Sequence, residues 1–194
     1  MTGVQTCALP IFDKVRVISV HELLKEYIET GRIKLDKSIH EELTTVHDPC
    51  NYGRKSMKAF GEAFFEEPRW VTQQCCENVV EMHPNRMNNF CCGAGGGAWA
   101  MPYDAERIYY GRVKAQQIME TQAKMVIAPC HNCRDQIMKG LTKEFDLGIE
   151  TKYLWELVAD SLIIDPWTEE EIKKANELRD AQYERDEIDL DQEW

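Results

Sequence analysis

Five cysteines in the chain have types and spacing that suit a metal centre. They are Cys50, the adjacent pair Cys91 and Cys92, and the pair Cys130 and Cys133. A gap of 40 residues follows Cys50, and 36 residues separate Gly93 from the last pair. A tetrahedral zinc site needs four ligands, whereas this set offers five. Neighbouring side chains in extended backbone point to opposite sides. The two adjacent thiols therefore bind two different metal atoms more easily than they bind the same metal atom. The pattern therefore predicts a multinuclear iron-sulfur site.

Short β-rich segments alternate with helical patterns along the chain, which is typical of an α/β fold with a parallel sheet. Strands are predicted over residues 15–20, 43–47, 79–82, 125–128 and 150–153. Helices are predicted over residues 21–31, 57–74 with a break near Pro68, 104–121, and 134–142. We therefore expect a Rossmann-like parallel sheet flanked by helices.

Each group of cysteines follows a predicted strand, either directly or after a loop. Cys50 follows the strand at 43–47, Cys91 and Cys92 follow the strand at 79–82, and Cys130 follows the strand at 125–128. Ligand sites in open α/β sheets form outside the carboxyl ends of the strands. All five thiols are expected to meet there. The predicted helix at 134–142 begins just after Cys133, and a helix N-terminus favours the thiolate form of the cysteine pair that precedes it.

A glycine-rich segment and two histidines are expected to contact the cluster. Gly93, Gly95 and Gly96 would let the backbone approach an inorganic core and direct amides at its sulfides. His47 and His131 neighbour predicted ligands and could donate hydrogen bonds to cluster sulfur, with a solvated imidazole as the alternative. The segment also fits a dinucleotide-binding loop, but two cysteines precede it and no acidic residue stands plainly at the ribose position.

The predicted helix at 104–121 has one apolar face. Its members follow 3, 4, 3 spacing and are Ile108, Gly111, Ala115 and Ile118. This face is expected to pack on the sheet, with Gly111 allowing close approach. Arg107, Arg112 and Lys114 are interpreted as solvated charges, with contact to an anionic substrate as the alternative.

Composition indicates one compact soluble domain with a tail. Hydrophobic residues make up 43% of the chain, and no run approaches 18 apolar residues, so no membrane span is expected. A formal charge of -11 argues against nucleic acid as the main partner. Cysteine-rich composition without a secretory signal fits a reducing compartment, and the cytoplasm is expected. Cys75 and Cys76 are interpreted as buried core thiols.

The two ends of the chain differ from its centre. Residues 1–11 resemble a translated sequencing-adapter oligonucleotide and are treated as an artefact. Residues 12–162 form the predicted cysteine-rich domain, and residues 163–194 form an acidic helical tail. From Asp165 onward the tail has 12 acidic and 4 basic residues. Thr168, followed by three glutamates, is a good helix start, so a solvated or partner-docking helix is expected.

The constellation resembles the cysteine-rich CCG domain of heterodisulfide reductase catalytic subunits. The matching flanks are His47-Asp48-Pro49-Cys50, Val80-Glu81-Met82, Phe90-Cys91-Cys92-Gly93 and Ala128-Pro129-Cys130. The resemblance covers roughly residues 14–162, and the pattern is most similar to the HdrD, DsrK and TmcB group of subunits. Family members usually carry two such domains behind a ferredoxin-like domain. The chain is therefore expected to be a C-terminal fragment of an oxidoreductase subunit.

This resemblance implies a noncubane [4Fe-4S] cluster, with Cys50, Cys91, Cys92, Cys130 and Cys133 as ligands. It also implies electron transfer to a disulfide substrate in sulfur or anaerobic respiratory metabolism. The implied partners are other subunits of a redox complex, among them a membrane cytochrome or quinone subunit, and the resemblance implies that this chain lies on the cytoplasmic side of that complex. The isolated fragment is expected to bind a cluster yet reduce disulfides poorly.

Two other functions stay open. One is an electron-relay subunit of a glycolate- or lactate-type dehydrogenase, which involves no disulfide chemistry. The other is a structural zinc module that uses Cys50, one thiol of the adjacent pair, and the last two cysteines. Zinc would leave one thiolate without a metal, and the purified protein would be colourless.

Overall fold

The computed structural model describes residues 18–95 and 97–190, without the side chains of 183–190. The chain divides into two units, with the boundary between Ile163 and Ile164. In its described part, the first unit has a four-stranded parallel sheet flanked by seven α-helices. The predicted α/β fold with a parallel sheet is confirmed.

Four short strands build the sheet. They are β1 (Thr44–Val46), β2 (Val79–Val80), β3 (Met125–Ile127) and β4 (Glu150–Lys152). Their order is β2-β1-β3-β4, and every neighbouring pair is parallel. In the central pair, Val46 of β1 lies opposite Ile127 of β3, so these two strands end at the same level. The predicted strand at 15–20 lies mostly outside the described residues, and its last residue, Val20, instead begins a helix.

Helices connect the strands and cover both faces. They are α1 (Val20–Glu29), α2 (Ser56–Phe60), α3 (Glu66–Cys75), α4 (Asp104–Thr121), α5 (His131–Asp135), α6 (Thr142–Phe145) and α7 (Leu154–Asp160). A π-helical segment, Gln136–Leu141, joins α5 to α6, and a second one, Asn51–Lys55, precedes α2. Short 3₁₀ turns lie at Lys37–Ile39, Arg86–Asn88 and Ala98–Ala100.

The helix predicted over residues 57–74 is broken as expected, but the break lies between Phe60 and Glu66 and not at Pro68. Gly61 terminates α2 with a φ of 78°, a left-handed conformation that glycine adopts without strain. Pro68 lies in the first turn of α3, where its missing N–H removes no intrahelical hydrogen bond. The helix predicted to begin at residue 134 begins at His131 instead.

Successive side chains of β3 point to opposite faces of the sheet, so this strand contributes to two separate apolar cores. Val126 belongs to the first core, with Met82, Cys92, Ala94, Ala115, Ile118, Ala128, Cys133, Ile137 and Leu141. Met125 and Ile127 belong to the second core, with Val46, Val71, Cys75, Cys76, Leu154, Leu157 and Val158. The predicted packing face of α4 is confirmed, since Gly111, Ala115 and Ile118 are buried and Ile108 packs against the first core.

The second unit contains α8 (Glu169–Leu190). The Thr168 hydroxyl accepts a hydrogen bond from the Glu171 backbone N–H at 3.3 Å, and the Glu171 carboxylate accepts one from the Thr168 N–H at 2.8 Å. This reciprocal pair satisfies two backbone donors at the helix start. The predicted acidic C-terminal helix is confirmed. Within the described residues, every helix is too short or too polar to cross a bilayer.

Candidate metal centre

The five cysteines grouped by their spacing line a single pocket. The pocket is lined by His47, Cys50, Asn51, Cys91, Cys92, Gly95, Cys130, Asn132 and Cys133. It lies past the carboxyl ends of β1 and β3, where α/β sheets form their ligand sites. The fold therefore brings together thiols that are up to 83 positions apart in the sequence, from Cys50 to Cys133.

Pairing of the central strands positions the first and third cysteine groups. The His47 N–H donates to the Ile127 carbonyl at 2.8 Å, which extends the pairing of β1 with β3 by one residue. Beyond this point, Cys50 is the residue before the π-helical segment Asn51–Lys55, and Cys130 is the residue before α5. Because the two strands are neighbours and parallel, both chain segments leave the sheet on the same side.

Hydrogen bonds from the loop before Cys91 hold the segment that contains Cys50. The Arg86 N–H donates to the Asp48 carboxylate at 2.7 Å, and the Asn89 side-chain amide donates to the Asp48 carbonyl. Arg54 in turn donates to the Asn89 carbonyl at 2.6 Å. These contacts join two loops that lie about 40 positions apart in sequence. They therefore hold the segment of Cys50 in place relative to the segment of Cys91 and Cys92.

The pocket has a buried floor and an open rim. Cys92 and Cys133 are 2% and 4% exposed, and their sulfurs lie 3.3 Å apart. Cys91 is exposed, whereas Cys50 and Cys130 are half-buried. The two adjacent thiols therefore occupy different depths of one pocket, as expected for neighbours that point to different sides. A bound group would be reached from the side of Cys91.

Contacts between the thiols favour negative charge on two of them. Hydrogen bonds from the Cys133 thiol and from the backbone N–H groups of Cys133 and Asn132 together lower the pKa of Cys130 to about 6, against the opposing effect of burial. Hydrogen bonds from Cys133 and Cys91 lower the pKa of Cys92 well below its usual value. The same contacts raise the pKa of Cys91 and Cys133, since these two supply the protons. The thiolate is the form that binds metal.

His47 closes the inner end of the pocket. It is 1% exposed, and its ring lies beside the Cys92 side chain. A ring nitrogen and the sulfurs of Cys92 and Cys133 all lie within 4.8 Å of one another. Burial lowers the pKa of His47, and nearby Lys114 lowers it further. The neutral ring can therefore either donate to sulfur or bind a metal through nitrogen.

The glycines of the segment after Cys92 have different roles. Gly93 has a φ of 94°, and a Cβ there would lie 2.3 Å from the Arg107 carbonyl, so it is required for packing on α4. Its N–H donates to the Cys91 sulfur at 3.3 Å. Gly95 lines the pocket, and a Cβ there would point at the Cys50 sulfur from 4.0 Å. Gly96 lies outside the described residues.

The structure places His131 away from the pocket lining. Its Nδ1 makes a hydrogen bond with the Tyr153 hydroxyl, and the two rings stack with their centroids 6.0 Å apart. Tyr153 stacks in turn on Trp155 at 4.4 Å. Of the two histidines predicted to contact the cluster, His47 alone is brought to the pocket.

Two of the three charges interpreted as solvated are buried. Arg107 and Lys114 are 8% and 1% exposed, whereas Arg112 is exposed as expected. The helical period did indicate a buried position for Lys114, because this residue lies three positions after Gly111 and so shares its helix face. Asn51 and Asn132 also line the pocket, and the sequence contained no separate signal for them beyond their position next to a cysteine.

Cys75 and Cys76 belong to the second core and lie outside the pocket lining. Burial raises the pKa of Cys75 to about 12, so this thiol stays protonated at neutral pH. Their interpretation as buried core thiols is confirmed.

Comparison with known protein families finds a match to the part of the chain that forms the pocket. The sequence profile of a family described as a cysteine-rich domain, CCG, matches residues 44–138, a range that contains every cysteine of the pocket. The match begins at β1 and ends after Cys133, so it covers the elements that build the pocket.

Curated relatives with similar sequences are redox proteins. The chain is 32% identical to one polypeptide of the dihydromethanophenazine:CoB–CoM heterodisulfide reductase from Methanosarcina acetivorans, over 75% of this chain and 34% of that protein. It is 27% identical to iron-sulfur subunit 2 of an Hdr-like menaquinol oxidoreductase from Archaeoglobus fulgidus, over 84% of this chain and 29% of that protein. It is also 27% identical to an EtfAB:quinone oxidoreductase from Syntrophomonas wolfei, over 70% of this chain and 20% of that protein. The chain thus spans about a third or less of the length of these relatives.

Proposed function

Residues 44–138 of this chain belong to the cysteine-rich CCG domain family, and we propose that the chain is part of an iron-sulfur subunit that transfers electrons within an oxidoreductase complex. The observation that carries this proposal is the pocket into which five cysteines converge, two of them adjacent in sequence. Relatives named as iron-sulfur or heterodisulfide reductase subunits support the same assignment.

The donor set fits a multinuclear cluster. Five thiols exceed the four ligands of a tetrahedral zinc site. We assign Cys50, Cys91, Cys92, Cys130 and Cys133 as the ligands of a noncubane [4Fe-4S] cluster. Such a cluster would supply one-electron transfer towards a substrate disulfide. Gly93 contributes an amide to a ligand sulfur, Gly95 leaves room beside Cys50, and His47 closes the pocket at its inner end.

Residues of the chain control access and charge at this site. Cys92 and Cys133 are shielded from water at the floor, so their sulfurs interact more strongly with a bound group than exposed sulfurs would. Cys91 leaves the rim open to a disulfide or to a partner protein. Partner subunits, including a membrane cytochrome or quinone subunit, would supply electrons to this chain on the cytoplasmic side of the complex. Because the chain spans about a third or less of the length of its relatives, it should by itself bind a cluster yet turn over disulfides poorly.

The direct test is anaerobic iron-sulfur reconstitution of the wild-type protein beside Cys92→Ser and Cys75→Ala. The wild-type protein should become brown and hold about four irons and four acid-labile sulfides. Cys92→Ser should alter the iron content and the EPR spectrum, whereas Cys75→Ala, in the second core, should retain the cluster. Equal iron and sulfide content in all three proteins would contradict the ligand assignment.

Electron relay without disulfide chemistry is the second candidate function. Two relatives favour it, because their names state menaquinol and EtfAB:quinone oxidoreductase activities. Reduced, reconstituted protein should then be reoxidised by a soluble quinone analogue and not by a disulfide. Reoxidation by a thiol disulfide, with two thiols formed per disulfide consumed, would instead favour the reductase function.

A structural zinc module is the third candidate. The three groups His47, Cys92 and Cys133 are close enough for a mononuclear site, and Cys130 could supply a fourth ligand. A colourless protein with one tightly bound zinc and no acid-labile sulfide would establish this function and exclude the redox assignment.

A further inference from the structure

Lys114 is an unusual residue for a protein core. It lies on α4, is 1% exposed, and is among the largest fully buried side chains. Within the described part of the chain, its amine contacts neutral groups, namely the Gln117 side-chain oxygen and the Met82 sulfur at 3.6 Å. A buried lysine is almost always paired with an opposite charge. The structure thus shows a buried amine without an adjacent carboxylate.

Neighbouring contacts hold this amine behind the floor of the pocket. Gly111, one helical turn before Lys114, packs so closely that a Cβ there would lie 2.7 Å from the Cys92 carbonyl. Met82, which the amine touches, shares the first core with Cys92 and Cys133. Gln117 donates its amide to the Pro84 carbonyl at 2.6 Å, which leaves its oxygen to accept from Lys114.

The negative groups that attract this amine are the Asp48 carboxylate and the pocket thiols. Burial lowers the pKa of Lys114 to about 8, while Asp48, Cys92, Cys133 and Cys91 act in the opposite direction. Asp48 already accepts hydrogen bonds from Arg69 and from the Arg86 backbone. The pocket sulfurs are therefore the negative groups left for Lys114 to compensate.

We propose that Lys114 is a charge-compensating residue for the pocket, whose ammonium offsets the negative charge that the sulfurs of Cys92 and Cys133 carry as ligands and raises the reduction potential of the bound cluster. This inference rests on the proposed iron-sulfur function. Each thiolate ligand brings one negative charge, and reduction of the centre adds another electron. A buried cation behind the floor stabilises the reduced form more than the oxidised form, because Coulomb energy grows with the charge it faces.

The test compares Lys114→Met with Arg112→Met. Both substitutions remove one positive charge from α4, but Arg112 is exposed, so its charge is screened by water. The readout is the midpoint potential of the reconstituted cluster in an EPR-monitored redox titration. Lys114→Met should disfavour reduction at least tenfold, which corresponds to a midpoint lower by about 59 mV for one electron. Arg112→Met should leave the midpoint close to that of the wild-type protein.

Unfolding of the metal-free protein distinguishes an effect of the Lys114 charge on the cluster from a structural role of Lys114 in the fold. If Lys114 serves the cluster, metal-free Lys114→Met should be at least as stable to urea as the wild-type protein, because a costly buried charge is gone. A destabilised metal-free variant with an unchanged midpoint potential would show a purely structural role and overturn the inference. Equal shifts in both variants would also overturn it. A wild-type protein that assembles no cluster would contradict the proposed function itself, and the inference with it.

Discussion

Arg69 binds both carboxylate oxygens of Asp48, at 2.6 and 2.9 Å, and both side chains are buried. Asp48 stands two residues before Cys50, and the same guanidinium also binds Glu81 in the chain segment that leads to Cys91. Burial alone would raise the pKa of Asp48, but hydrogen bonds from Arg69 reverse this and hold it below its usual value. One arginine on α3 therefore ties together the two segments that carry the first cysteines.

Loss of this arginine should destabilise the first unit strongly. Arg69→Met leaves Asp48 buried without its partner, and breaking a buried ion pair typically costs about 3–5 kcal/mol. Urea unfolding of the metal-free protein measures the loss. The matched control is Glu66→Gln, which removes the exposed ion pair with Arg86 and should change stability by less than about 1 kcal/mol. Similar losses in both variants would contradict the structural role of the buried pair.

Two glycines in the segment after Cys92 should respond differently to alanine. Gly93→Ala places a Cβ 2.3 Å from the Arg107 carbonyl at a positive φ, so it should destabilise the metal-free protein by roughly 1–3 kcal/mol or more. Gly95→Ala makes an ordinary contact with the Cys50 sulfur, so stability should stay within about 0.5 kcal/mol. Urea unfolding measures both changes. If Gly95→Ala proves the more damaging, the geometry described for this segment is wrong.

Acid should destabilise the fold through His21. Burial lowers the pKa of His21 from 6.5 to about 4, and its ring packs edge-on against Tyr52 at 5.1 Å. Between these pH values the unfolded chain binds more protons than the folded one, so stability is present above pH 6.5 and is lost as pH falls towards 4. The full effect is on the order of 3 kcal/mol. Unfolding free energies at pH 7.5 and pH 4.5 measure it.

His21→Phe should flatten this pH dependence, because phenylalanine keeps the ring contacts and takes up no proton. Exposed His83 supplies the control, since His83→Gln should leave the difference between the two pH values as in the wild-type protein. A wild-type slope in His21→Phe would show that other groups cause the acid sensitivity.

Removal of a bound metal should weaken the domain without unfolding it. The second core contains Val46, Met125, Ile127 and Leu154 and no pocket cysteine, so it persists when the thiols are free. Chelation of the reconstituted protein under anaerobic conditions should lower its melting temperature while far-UV circular dichroism stays largely unchanged. Complete loss of helical signal on chelation would mean that ligation drives folding of the whole unit.

The sequence alone determined the fold class and the candidate centre. The long helix Asp104–Thr121 was predicted with its observed bounds, because its 3.6-residue period is a local signal. The convergence of Cys50, Cys92 and Cys130 was also predictable, since parallel strands place their carboxyl ends on one edge. The spacing of the cysteines and the alternation of strand and helix patterns are features of the sequence itself, so they can be identified without coordinates.

Tertiary structure decided which polar groups lie inside. Lys114 and Arg107 carry charges that composition assigns to solvent, yet α4 turns them towards Met82 and Gln136, because neighbours distant in sequence surround that helix face. His47 and His131 each stand close to a cysteine in the sequence, but the first closes the pocket and the second binds Tyr153. Their environments differ because burial, ion pairing and the partners of a ring nitrogen are set by segments far along the chain. No local pattern contains that information.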